Sequence, residues 1–131
     1  MAVNNISTAC RNAMADACVD SIDTGSTDSG GELRLYTTSF GTLLSVTDFA
    51  NPAFGAASSG AAAASGYTDE ASAPATGTAA VCRVVDRDNN TVFEGTVGLT
   101  GSGADVELSS VSITTGDAVT LSSITVTQPA S

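Results

Sequence analysis

Between Asn4 and Ile22, apolar or small residues recur every four positions, at Ile6, Cys10, Met14, Cys18 and Ile22, flanked by Ala13, Ala17 and Ser21. This spacing predicts a helix over 4–22 with a single buried stripe and with Arg11, Asp16 and Asp20 lying off it. Asn4, Asn5 and Ser7 are N-cap candidates, and Asp23-Thr24-Gly25 supplies a stop with glycine at the C-cap. Gly25 to Gly31 has no apolar anchor and reads as a flexible connection.

From Glu32 the period falls to two. Leu33 and Leu35 alternate with Arg34 and Tyr36, and Leu44 and Val46 with Ser45 and Thr47, as in half-buried strands. Asn51-Pro52 forces an extended or turn geometry. Phe54 to Gly66 is almost entirely alanine, glycine and serine. Interspersed glycines and the lack of caps argue against a helix there, and for an extended segment that lies close to another backbone. Tyr67 to Thr78 reads as a loop.

Ala79–Val85 and Thr91–Val97 are β-rich runs separated by Asp86-Arg87-Asp88-Asn89-Asn90, which predicts a hairpin. The first run is apolar on both faces, with Cys82 and Val84 on one and Val81 and Val85 on the other. It should therefore lie inside a sheet, with the helix covering one face. Val106-Glu107-Leu108 follows a turn at Gly101-Ser102-Gly103, and Val111 and Ile113 follow in turn. In the last run the apolar positions shift from odd (Val119, Leu121) to even (Ile124, Val126). That shift at Ser122-Ser123 predicts a β-bulge or a change of sheet. The expected fold is mainly β: one domain over 1–131, a jelly-roll-like β-sandwich over 32–128 carrying an N-terminal α-helix packed on the sheet.

Composition narrows the chemistry. The 131 residues carry 4 Lys+Arg, all arginine, against 14 Asp+Glu, for a net charge of −10, and there is no histidine or tryptophan. So acidic a chain cannot release the counterions that hold a protein on a phosphate backbone, which argues against nucleic acid as a partner. An anionic membrane surface is disfavoured for the same reason. No run approaches the length of an apolar span, and the start lacks a basic segment followed by an apolar one, so neither a membrane span nor a secretory signal is expected. Without histidine or lysine the commonest general base, Schiff-base amine and imidazole ligand are missing, and the expectation is a protein that is not an enzyme and holds no cofactor. Alanine, glycine, serine and threonine make up about half the chain, so the core must be thin and should gain from partner contacts.

Cys10, Cys18 and Cys82 show no zinc spacing, and eight residues along a helix would separate Cys10 from Cys18 by roughly 12 Å, too far to bridge. Burial is the expectation for all three, with a disulfide to Cys82 or to a neighbouring subunit as the competing one. Asp86, Asp88 and Asn90 stand at the spacing that opens a calcium loop. Thr91 replaces the turn glycine and Val97 the closing glutamate, so a plain hairpin turn is expected and no metal. A paired-carboxylate glycosidase cleft lacks its stacking aromatics, and the glycines match neither a phosphate loop nor a dinucleotide fingerprint.

Four stretches, RNAMADACVDSIDTG (11–25), DFANPAFGAA (48–57), VCRVVDRDNNTVFEGTVG (81–98) and ADVELSSVSITTGDAVTLSSITVT (104–127), resemble the head cement or decoration proteins of tailed bacteriophages. Cys82 departs from the bulkier apolar residue expected on the central strand. The resemblance carries no catalytic residues. It implies a protein made in the host cytoplasm that ends on the exterior of the virion capsid, bridging subunits of the major capsid protein and neighbouring further copies of itself. The small-residue segment is the expected contact, through Phe54, Ala56, Ala57, Ala61, Ala62, Ala63 and Ala64. A tail-associated or receptor-binding β module is the competing expectation.

Overall fold

The computed structural model describes residues 4–130. A helix, α1 (Thr8–Asp20), is capped by the Ser7 hydroxyl, which accepts the Cys10 N–H, and runs into a short 3-10 turn at Ser21–Asp23. Ten strands follow: β1 (Glu32–Tyr36), β2 (Leu43–Phe49), β3 (Ala61–Ala63), β4 (Tyr67–Thr68), β5 (Gly77–Thr78), β6 (Val81–Val85), β7 (Thr91–Leu99), β8 (Val106–Leu108), β9 (Ser112–Ile113) and β10 (Thr125–Thr127). Six form one mixed sheet in the order β4-β2-β1-β6-β7-β8, and two ribbons, β10-β3 and β5-β9, complete the β structure. The fold is mainly β with an N-terminal helix, as the patterning predicts. Residues of the large sheet, of both ribbons and of the connecting segments share one buried cluster. None of the described helices is long and apolar enough to cross a membrane.

β6 lies between β1 and β7, the interior position expected of a strand apolar on both faces, and forms the predicted hairpin with β7. The Asp86 carboxylate organises the loop by accepting the Asp88 N–H at 2.9 Å and the Asn90 N–H at 2.8 Å. Cross-strand register puts Leu33, Leu35, Cys82 and Val84 on one face of the sheet, in the core. The other face carries Arg34, Tyr36 and Arg83, with the Arg83 guanidinium 4.2 Å above the Phe40 ring and bonded to Glu94. The chain also turns from β7 into a parallel neighbour, β8, through a short glycine loop. The Glu107 carboxylate ties this loop by accepting the N–H groups of Gly101 and Gly103, both at positive φ.

The helix does not bury the predicted stripe. Ala15, Val19 and Ile22 are its buried residues, Cys10 is exposed and Met14 is 41% exposed. On a helix of 3.6 residues per turn a four-residue repeat drifts by about 40° each time, which sets Ile6 and Ile22 roughly 160° apart. No flat surface can cover such a stripe. Ala15, Val19 and Ile22, at spacings of four and three, stay on one line. α1 packs on β3 and β10, the small ribbon, whereas Ile22 in the 3-10 turn lies against Gly31.

β2 also departs from expectation. Ser45 and Thr47, read as outward polar positions, are fully buried, because they lie opposite Leu35 and Leu33 on the core face. Leu44 is buried too, at an irregularity in the β1–β2 register. The Ser45 hydroxyl finds no hydrogen-bond partner. Tyr67 to Thr78 is a loop whose two ends form short strands, β4 and β5. At Ser122-Ser123, where the parity shifts, the chain changes backbone partner: Val119 makes an isolated bridge to Glu70, whereas Thr125–Thr127 pairs with β3.

Candidate functional site

The segment from Phe54 to Gly66 folds back on itself. Phe54 bridges Ala64, Gly55 donates to the Ala63 carbonyl, and Ser58 and Ala61 exchange both backbone hydrogen bonds around Ser59-Gly60. Both turn residues have positive φ, 54° and 80°, the two-residue geometry whose twist matches paired strands. Gly60 suits the turn by its positive φ, and a Cβ there would lie 2.5 Å from the Arg11 guanidinium, which would have to move. The Ser-Gly dipeptide between small-residue runs was the available sequence signal for this hairpin.

The helix holds the hairpin through polar side chains. Asp16 accepts the Ala57 N–H at 2.7 Å and Asn12 the Gly60 N–H at 2.7 Å, while Arg11 donates to the carbonyls of Ser59 and Gln128. Asp23 receives the Ala53 N–H at the hairpin base. Arg11 and Asp16, expected only to lie off a stripe, are therefore the braces of the segment. On its other side β3 pairs with β10, so the close backbone approach foreseen for this stretch is to its own chain.

This arrangement divides the seven expected contact residues. Phe54 and Ala62 are buried and packed in the core, Phe54 with its ring centroid 5.3 Å from that of Phe49. Ala57, Ala61 and Ala64 are half-buried. Ala56 and Ala63 are exposed and form the outer surface of the hairpin. The segment, expected to be extended, is thus a hairpin built into the fold, with a small-residue outer face. Phe54 and Ala62 are unavailable to the expected contact surface because of their own packing.

The carboxylates serve similar structural ends. Asp88 accepts the N–H groups of Ser26 and Thr27, Asp105 that of Thr96, Asp117 that of Thr114, and Asp69 that of Leu121. The Ser26 and Thr27 donors hold the Asp88 carboxyl below the usual carboxylate range, and the Thr96 N–H and hydroxyl do the same for Asp105. Burial pushes the Asp86 carboxyl upward, but the Asn90 N–H, the Asn90 side-chain amide and the Asp88 N–H outweigh it and leave it lowered. Asp86 and Asp88 point at separate internal donors, and among the described residues no three His, Cys, Asp or Glu side chains are grouped to hold a metal. Cys82 is buried, and its thiol is pushed up to about 11, chiefly by burial and further by Asp105, so it is a packing group.

One opening in the fold escaped the sequence reading. A cleft of about 400 Å³ runs between the β7–β8 end of the large sheet and the 121–127 segment, with Phe93, Val106, Ile124 and Val126 among its lining. Scans of protein-family models, curated proteins and solved structures found no match to this chain.

Proposed function

We propose that this protein is a structural decoration protein of a tailed bacteriophage, which sits on the outside of the capsid and cements adjacent subunits of the major capsid protein. The observation that carries this reading is the braced hairpin, whose outer face is small, with Ala56 and Ala63 exposed. Side chains of this size let a neighbouring backbone come close, and a preformed element loses little conformational freedom on docking. The use of carboxylates as acceptors for loop N–H groups supports the same reading, since it assigns them to construction. The resemblance of four stretches to cement proteins supplies the particle.

The mechanism is mechanical. Each copy binds the assembled shell better than free capsid protein, and by linkage this differential affinity stabilises the assembled state against internal DNA pressure. A shell offers many equivalent sites, so weak contacts accumulate along the lattice. The net charge of −10 suits a position outside the shell, away from DNA. A cryo-EM map of the parent particle tests the assignment. Density for this fold on the capsid exterior, hairpin against the capsid protein, is expected; density confined to the tail overturns it in favour of the tail module.

A further inference from the structure

The cleft beside β7 is bordered by two strand edges that lack neighbours. β8 pairs with β7 only over Val97–Leu99, which leaves the earlier part of that edge open. Thr96, whose N–H faces it, donates to Asp105, and the backbone of Glu94, two residues back on the same side, has no strand beside it. Across the cleft, β10 gives the backbone groups of its even positions to the hairpin, as the Ala64 N–H to Ile124 and Gln128 N–H to Gly60 bonds show. Thr125 and Thr127 therefore turn their N–H and C=O groups away from β3. Between these edges the lining is mixed, with Leu33, Phe93 and Val106 apolar and Ser122, Asp105 and Glu107 polar.

We propose that this cleft is a β-augmentation site that takes one extended segment of another protein. The segment pairs with Thr125 and Thr127 on one side and with Glu94 on the other. Alternate apolar or β-branched side chains enter the cleft, and a lysine or arginine at one end meets Asp105 and Glu107. Charge selects this occupant. The Asp105 and Glu107 carboxylates in this lining are bonded only to neutral donors, Thr96 for Asp105 and Gly101 and Gly103 for Glu107, so their charge is uncompensated. A second copy of the chain is a poor match, because its net charge is −10 and its four arginines are all engaged, with Glu32, Glu94 or backbone carbonyls. This surface is distinct from the outer face of the hairpin and stands whether or not the protein belongs to a capsid.

The test is selection of short peptides from a displayed random library on the full chain, followed by amide hydrogen exchange with the best peptide bound. Enriched peptides should alternate apolar and polar residues and carry Lys or Arg, and binding should slow exchange at Glu94, Thr125 and Thr127 by about tenfold or more. Thr125→Pro removes an outward N–H that β3 does not use and should weaken the peptide by about tenfold. No enrichment, enrichment without a basic residue, or unchanged exchange at those three amides in the unaltered chain overturns the proposal. So does self-association that protects the same amides without peptide, since the occupant would then be a second copy.

Discussion

The Asp16 carboxylate on the helix accepts the backbone N–H of Ala57 at 2.7 Å, joining two points 41 residues apart. A helix with a narrow apolar line is thereby fastened to a hairpin with almost no side-chain bulk. Asp16→Ala leaves the Ala57 N–H half-buried and unpaired, and should lower unfolding stability by about 1–3 kcal/mol. Urea unfolding of the two proteins checks this. Equal midpoints would show that the helix and hairpin are held by packing alone.

The buried line of the helix makes Val19 and Met14 opposites. Val19→Asp places a charge in the core and should cost several kcal/mol, enough to prevent folding, whereas Met14→Asp adds a charge at an exposed position and should change stability by roughly 0.5 kcal/mol or less. Circular dichroism melts of both variants decide it. Unfolding of the Met14 variant would restore the four-residue stripe.

A similar contrast separates Ala62 from Ala63. Ala62 is fully buried, so Ala62→Arg should abolish the native fold through overpacking and an unpaired charge, while Ala63→Arg should fold normally because its side chain faces solvent. Proton NMR dispersion of the two variants reports the difference. Two equally folded spectra would mean that the hairpin is detached from the core.

Strand content, one interior strand and one hairpin were legible where side chains are large. Leu33 and Leu35 mark the core face of β1, the apolar faces of 81–85 mark an interior strand, and the parity shift at Ser122-Ser123 marks a change of backbone partner. Where side chains are small, hydrophobicity ceases to report burial. Ser45 and Thr47 are buried by register with Leu35 and Leu33, Ala62 by its strand partner Val126, and none of these residues announces it. The site was legible as a segment but not as a surface, because which alanines point outward depends on a turn at Ser59-Gly60 and on helix side chains far away in sequence. The cleft was invisible for a different reason: it is defined by backbone groups left without partners.

Acid should weaken the loops that carboxylates hold. Asp86, Asp88 and Asp105 are lowered in the folded state relative to the ordinary Asp value of about 3.9. Their contribution to stability is therefore complete above that value and is lost as pH falls through their folded values. Overall acidification also relieves the repulsion of a strongly acidic chain, so the diagnostic is a difference. The gap in urea midpoint between the unaltered protein and Asp88→Asn should be constant from neutral pH to about pH 5 and close progressively below about pH 4. A gap independent of pH would show that Asp88 does not act through its charged form.

The cement role is tested most directly by heating particles that differ only in this protein and following DNA release with an intercalating dye. Particles assembled without it should form and package DNA but release it at a lower temperature, and adding back the purified chain should restore the release temperature of complete particles. Add-back of Ala63→Arg, folded but bulky at the proposed contact, should restore it less. Identical release temperatures with and without the protein would contradict the cement role.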